Sequence, residues 1–260
     1  MSYKIKDALK AIEEFAPLEL QAEFDNSGLK YGDIEADLKS VLITLDTTEK
    51  VVEDAIQNGC NLIVEHHPLI FEPLKGIDLR KPPQKALVKA IKNDIAIYSA
   101  HTNIDFAKGG LNDYVAKKLG LEDVYCLDDD ISSARIGTLR TPVSMREYKN
   151  HVKKVFNDNN MATIGDETRL IKKVGVINGS GGKDTDLLIR LKESGADIFI
   201  TSDIKYAFAR FANDLNYGII TIGHYNSEIC FLELMEEILT KSLKSVKIVK
   251  TTKCSNPYNN

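Results

Sequence analysis

The chain has 260 residues, of which 43% are hydrophobic and 28% charged, and its formal net charge is −4. This composition is typical of a folded globular protein that buries a sizeable core, as one large domain or two small ones. The negative balance provides no field for holding a phosphate backbone, so we do not expect nucleic acid as a main partner. Residues 1–15 read as an amphipathic helix, and no run reaches membrane-spanning length. We therefore expect no membrane association and a cytoplasmic location.

Apolar, β-branched runs alternate with amphipathic segments along most of the chain. The runs predict strands at 40–46, from 62 to a pair of histidines, and at 95–100, 134–140 (an edge strand), 173–178, 197–203 and 218–222. Helices are predicted at 48–58, 84–92, 144–156 and 227–244, with two more ending at 119 and 193. Thr47 or Thr48 is the expected N-cap of the helix at 48–58. Strand, helix and strand in succession predict βαβ units, and hence an α/β fold with a parallel sheet.

The strand that begins at Leu62 ends in two adjacent histidines, His66 and His67, and is stopped by Pro68. Side chains alternate faces along a strand, so these two imidazoles leave it in different directions. Such a pair addresses two nearby metal ions more readily than it chelates one.

The second half of the chain repeats the pattern of the first. Residues 59–67 align without gaps on 195–203, and 101–105 on 224–228. The second pair shares a histidine, three residues and a carboxylate, with asparagine in the middle. Duplication and chance similarity between βαβ units are both open, and the matching polar positions favour duplication. We therefore predict a first lobe at 1–125 plus 226–260 and a second at 126–225, with the acidic stretch 127–130 as a connector.

Several imidazoles and carboxylates fall at predicted strand ends, where open α/β sheets bind ligands. The candidate metal ligands are His66, His67, Asp105, His224 and Glu228, with His101 close by. A lone histidine is most often a hydrogen-bonded core or surface residue, but four of the five histidines lie beside carboxylates at strand ends. Imidazole and carboxylate suit zinc, iron, manganese or nickel.

Three further features are open between a functional and a structural role. The glycine-rich stretch 179–182 can present N–H groups to a phosphate or form a tight turn. Residues 25–28 can reach the site or cap a helix. Glu65 can orient a ligand histidine or point away from it.

Six motifs occur in the order found in a known family. They are DNSGL at 25–29, HHPLIF at 66–71, HTNID at 101–105, GGLND at 109–113, GSGG at 179–182 and GHYNSE at 223–228. The chain resembles the NIF-three-like proteins, also called the GTP cyclohydrolase 1 type 2 homologue family. The resemblance implies two related α/β halves with mixed, largely parallel sheets flanked by helices, and a ring-shaped homohexamer. It also implies two divalent metal ions per subunit.

By position in that family, His67 and Asp105 would hold one ion, His66 and His224 the other, and Glu228 would bridge them. The chain departs from the family pattern at Ala207, where a histidine is usual, and it resembles the short form that lacks an inserted middle domain.

The resemblance leads us to expect a metal-dependent hydrolase, similar to GTP cyclohydrolase, that acts on a purine nucleotide or another small molecule. His101 is the residue expected to move protons, because imidazole changes charge near neutral pH. The alternative is a non-catalytic ring that binds, stores or delivers metal, or an interaction scaffold.

Overall fold

The computed structural model describes residues 2–128 and 134–258. Strands are β1 (Gly28–Tyr31), β2 (Ser40–Thr44), β3 (Leu62–Glu65), β4 (Ala96–Ser99), β5 (Glu122–Cys126), β6 (Arg135–Ser144), β7 (Thr163–Ile164), β8 (Leu170–Val176), β9 (Ile198–Thr201), β10 (Gly218–Thr221) and β11 (Lys247–Lys250). Helices are α1 (Ile5–Phe15), α2 (Glu49–Gln57), α3 (Pro82–Lys92), α4 (Thr102–Phe106), α5 (Leu111–Lys118), α6 (Met145–Phe156), α7 (Thr185–Glu193), α8 (Tyr206–Asp214), α9 (His224–Glu228) and α10 (Phe231–Ser242), and a 3-10 turn covers Leu18–Leu20.

The chain divides into two compact units. The first unit contains Met1–Lys108 and Phe231–Ser255, and the second contains Gly109–Cys230 and Asn256–Asn260. The lobes drawn from the sequence, with breaks after 125 and 225, stay a prediction. Of the predicted connector at 127–130, residues 129 and 130 lie outside the described part of the chain.

The first unit contains one sheet with the strand order β1-β4-β3-β2-β11, in which only the β1–β4 pair is antiparallel. Every residue of β2, β3 and β4 is buried, as is typical of a parallel sheet covered on both faces. Helices α2 and α3 pack on these strands, and α10 packs on β2, β11 and α1. Thr44, Glu65 and Ser99 are register partners across the sheet. The residues that follow them therefore emerge side by side at one edge.

The second unit contains a mixed sheet with the order β5-β6-β8-β9-β10-β7, in which β8, β9 and β10 are parallel. Its buried core includes Ile136, Phe199, Phe208 and Ile219, with α7 and α8 packed on the sheet. Each unit thus has three adjacent parallel strands in chain order, as the sequence repeat suggests. Whether the two units superpose stays a prediction. The predicted α/β class, with mixed sheets flanked by helices, is confirmed.

Two local predictions from the sequence are wrong. The strand predicted as an edge at 134–140 is β6, which pairs with β5 on one side and β8 on the other. The helix predicted at 227–244 is two helices, α9 and α10, separated by Ile229 and Cys230. Two helix starts follow the expected chemistry. Thr48 accepts a hydrogen bond from the backbone N–H of Val51, and Ser144 forms a capping box with Glu147.

No helix in residues 2–128 or 134–258 combines the length and the apolar character needed to cross a membrane.

Candidate metal centre

His66 and His67 follow β3 at the carboxyl edge of the first sheet. The backbone N–H of His67 donates to the carbonyl of Leu45, which follows β2. The backbone pairing between β2 and β3 therefore extends to the two histidines. The side chain of His66 is fully buried, and its Nδ1 lies 2.8 Å from the carbonyl oxygen of Ala100. A carbonyl only accepts, so Nδ1 carries the proton and Nε2 keeps a lone pair. That is the arrangement in which metal-binding histidines are usually found.

His67 is oriented in the same way by a carboxylate. Its Nδ1 lies 2.9 Å from Oδ1 of Asp46, which follows the neighbouring strand β2. The Asp46 side chain is about half exposed, at 52%. A carboxylate against one imidazole nitrogen fixes the tautomer and directs the other nitrogen toward a ligand.

His101 stands at the N-cap of α4 and is held by a buried aspartate. Its Nδ1 lies 2.6 Å from Oδ1 of Asp25, while Oδ2 of Asp25 accepts from the backbone N–H and the hydroxyl of Thr102. Burial of the carboxyl group opposes its ionisation, but the hydrogen bonds from His101 and Thr102 outweigh burial and hold the pKa of Asp25 well below its usual range. Asp25 therefore orients His101 and accepts from the first backbone N–H of α4, and a functional role for the segment 25–28 stays a prediction.

The three histidines form one cluster. One ring nitrogen from each of His66, His67 and His101 lies within 4.8 Å of the others. Oδ1 of Asp105, on α4, is 3.9 Å from Nε2 of His66. Ligand atoms around one ion stand about 2.0–2.2 Å from it, which spaces them about 3–4 Å apart. The group fits a divalent metal ion that prefers nitrogen and oxygen ligands.

Glu65 acts as a brace for the turn that carries the histidines. Its Oε1 accepts from the backbone N–H of Leu69 and from the hydroxyl of Ser99, both at 2.7 Å. Complete burial raises the pKa of Glu65 to about 7, since the charged form loses its hydration. The Ala100 carbonyl, which nothing in the sequence indicates, is the acceptor that orients His66.

His224 and Glu228 form a second group, on the short helix α9 of the second unit. Nε2 of His224 lies 2.9 Å from Oε2 of Glu228, and Nδ1 lies 2.7 Å from Oδ2 of Asp203. Burial of the imidazole opposes protonation, but the hydrogen bonds to Glu228 and Asp203 prevail and raise the pKa of His224 to about 9. Asp203 therefore orients the His224 ring through Nδ1, as Asp46 orients the His67 ring.

The glycine-rich stretch 179–182 is a tight turn that touches this second group. Two of its N–H groups are used within the protein, since Gly181 donates to the Thr201 hydroxyl and Gly182 to the Asp203 carbonyl. Gly179 has a φ of +64°, and a Cβ there would collide with Oε1 of Glu228. These contacts favour the tight turn over a phosphate site, and they make glycine necessary at 179.

Within the first unit the structure brings together four predicted site residues, and within the second unit it brings together two. These are His66, His67, His101 and Asp105, and then His224 and Glu228. Sequence reasoning missed the carboxylates Asp46 and Asp203, although each ends a predicted strand and that position was an available signal. Ala207, at the departure from the family pattern, is exposed in the first turn of α8.

Comparison with known proteins identifies a family and several relatives that the whole chain resembles. Residues 3–257 match the family model described as Duf34/NIF3 (NGG1p interacting factor 3). The chain is 35% identical over 254 residues to a Clostridium acetobutylicum protein named GTP cyclohydrolase 1 type 2 homolog, covering 95% of this chain and 94% of that protein. Among solved structures it is similar to a Bacillus cereus protein related to NIF3, at 25% identity and a TM-score of 0.92 over 100% of both chains. It is also similar to reduced HcgD from Methanocaldococcus jannaschii, at 29% identity and a TM-score of 0.82 over 97% of this chain and 99% of the other.

Proposed function

The chain belongs to the Duf34/NIF3 family, and from that membership and the geometry of its histidines we propose that it is a dinuclear metal hydrolase acting on a purine nucleotide. The observation that carries the proposal is the cluster of His66, His67 and His101. Each of these rings has Nδ1 against an oxygen atom, so Nε2 is the ring nitrogen that would meet a metal ion.

Five residues supply the ligands in this proposal. His67 and Asp105 would hold one ion, His66 and His224 would hold the other, and Glu228 would contribute to both. Oδ1 of Asp105 is 3.9 Å from Nε2 of His66, which supports including Asp105 in the histidine cluster. The 2.9 Å contact between His224 and Glu228 supports their acting together. Such donors accept zinc, iron, manganese or nickel.

Two divalent ions, when bound, supply Lewis-acid chemistry for hydrolysis near neutral pH. His101 is the residue that we propose to move protons. Asp25 holds its Nδ1, so the ring cannot turn, and Nε2 is the atom that exchanges a proton with the reacting groups. The His101 side chain is 18% exposed, so a substrate can reach it, whereas His66 is fully enclosed.

The substrate class rests on the names of the relatives. Proteins similar to this chain are named GTP cyclohydrolase 1 type 2 homolog, and that name supports hydrolytic opening of the guanine ring of GTP. The histidine cluster is compatible with metal-dependent hydrolysis and identifies no base.

The test uses the full chain loaded with zinc, manganese, iron or nickel in turn and incubated with GTP, with products separated by chromatography. We expect His66→Ala to lose both metal and turnover, and His101→Asn to lose turnover while keeping metal. Glu228→Gln should lower both metal occupancy and turnover. His151→Asn, in α6, is the control and should change neither. Turnover that survives His66→Ala would refute the proposal, and unchanged occupancy in Glu228→Gln would show that the bridge is misplaced.

A second candidate is a non-catalytic ring that binds, stores or delivers metal, or an interaction scaffold. The family description, NGG1p interacting factor 3, names a protein interaction and favours this candidate. Exchangeable metal without saturable turnover of any nucleotide would identify it. In both cases we propose a homohexamer that acts in the cytoplasm, and light scattering should give the mass of six chains.

A further inference from the structure

A cavity of about 350 Å³ lies beside His224 in the second unit. Its walls include Gly223, Asp158, Asn226, Asn256 and Tyr258. The volume is at the lower end of the ~300–1,000 Å³ range of small-molecule sites. It is large enough for one planar ring system.

The walls of the cavity are polar, and among the described residues that line it His224 is the one that can carry a positive charge. Carboxamides and one carboxylate dominate, and among the described residues that line it there is no lysine or arginine. A phosphate group placed here would face Asp158. Both ring nitrogens of His224, the one cationic group among the described wall residues, already face the carboxylates of Glu228 and Asp203. Carboxamides both donate and accept hydrogen bonds. The walls therefore match a neutral group whose edge carries donors and acceptors together.

The polar groups are held in place before any ligand arrives. Asp158 is 2% exposed, and its Oδ2 accepts from the backbone N–H of Gly223 at 2.7 Å. Asn226 donates to the carbonyls of Phe156 and Asn157, both at 3.2 Å, which fixes the orientation of its carboxamide. The Oδ1 of Asn226 then accepts from Nδ2 of Asn256 at 3.2 Å. Preorganised groups of this kind reduce the conformational entropy that the protein loses when a ligand binds.

Tyr258 adds an aromatic ring to the cavity wall. The chain returns to the second unit at Asn256, whose Oδ1 accepts from the backbone N–H of Tyr258 at 3.1 Å. The Tyr258 side chain is 74% exposed, so its ring is not used to fill the core. Proteins commonly bind a base by stacking an aromatic ring on it while polar side chains form hydrogen bonds with its edge.

We propose that this cavity binds the nucleobase of the substrate, with Tyr258 stacked on the ring and the carboxamides of Asn226 and Asn256 bonded to its edge. The inference rests on the proposed function, because a base next to His224 lies beside a proposed metal ligand. The phosphates of the nucleotide remain outside the cavity, away from Asp158.

The test measures binding of guanosine, which has the base but no phosphate, to the full chain by isothermal titration calorimetry. Tyr258→Ala should weaken guanosine binding about 5- to 150-fold, the usual effect of losing one base–aromatic stack. Tyr258→Phe keeps the ring and should bind as the parent protein does. Tyr206→Ala removes an aromatic side chain that is 85% exposed in the same unit and lies outside the cavity, so it should change nothing.

The outcomes distinguish the proposed base site from the proposed hydrolase activity. Absence of guanosine binding, or equal losses in Tyr258→Ala and Tyr206→Ala, would overturn the base site. Guanosine binding that depends on Tyr258, with no turnover of any nucleotide, upholds the base site and contradicts the hydrolase. Turnover of GTP with a KM insensitive to Tyr258→Ala upholds the hydrolase and overturns the base site.

Discussion

Replacing Gly179 with alanine tests whether the 179–182 turn sets the position of Glu228. The added Cβ would collide with Oε1 of Glu228 and stand 3.5 Å from Nε2 of His224. Gly195→Ala is a matched control in the same unit. Gly195 also has a positive φ, +82°, but a Cβ there meets only Nζ of Lys173, at 3.9 Å.

Both substitutions lower stability through the backbone, and only Gly179→Ala also displaces a neighbouring side chain. Each places a side chain on a left-handed backbone, which costs roughly 1–2 kcal/mol of stability. In Gly179→Ala the carboxylate must also retreat on the order of 1 Å to reach an ordinary carbon–oxygen separation of about 3.3 Å. Glu228 is 3% exposed and packed on all sides, so it has little room to move. We expect metal affinity to fall about 10- to 100-fold, or ~1.4–2.8 kcal/mol, because ligand positions tolerate little displacement.

Metal affinity is measured by competition with a fluorescent chelator, and stability by urea unfolding of the metal-free proteins. Both variants should lose similar stability, and only Gly179→Ala should lose metal affinity. If Gly179→Ala and Gly195→Ala bind metal equally well, the turn does not position Glu228, or Glu228 is not a ligand.

Three further predictions follow, two from the candidate metal centre and one from a partly buried ion pair in the second unit. Asp46→Ala removes the acceptor that orients His67, and chelator competition should show about tenfold weaker metal binding, at the low end of such effects because the carboxylate is half exposed; unchanged affinity would contradict this role. Removing bound metal should lower the thermal midpoint by roughly 5–10 °C, since metal at 100 times its Kd contributes about 2.7 kcal/mol, and calorimetry of the stripped protein would show no shift if the site were absent. Asp113→Ala leaves the buried guanidinium of Arg135 without the carboxylate now 2.7 Å away, so urea unfolding should show a loss of about 3 kcal/mol; Glu122→Ala, at an exposed ion pair, should lose less than about 1 kcal/mol, and equal losses would refute the distinction.

Much of the fold follows from local patterns in the sequence. The apolar runs that became β2, β3 and β4 are buried at every residue, so their composition alone indicates the strands. In contrast, β5 is mostly exposed and begins with two acidic residues, so it carries no apolar pattern to detect. No glycine or proline marks the break between the two helices at Ile229 and Cys230. Residue propensities therefore do not predict it, since tertiary context can override propensity.

The site was predictable where residues are adjacent in sequence and obscure where they meet through the fold. The adjacent pair His66 and His67 is visible by inspection. The contact between His101 and Asp25 joins residues 76 positions apart, and only the sheet register brings them together. The collision between a Cβ at Gly179 and Glu228 is likewise invisible until the turn is built in three dimensions.

Anomalous diffraction from crystals of the metal-loaded full chain tests the central claim most directly. Two peaks are expected beside the carboxyl end of β3, each within about 2.0–2.2 Å of a histidine nitrogen, with one peak on His66 and the other on His67. Absence of any peak near these histidines in crystals grown with zinc, manganese, iron or nickel would contradict the metal centre and the proposed hydrolase together.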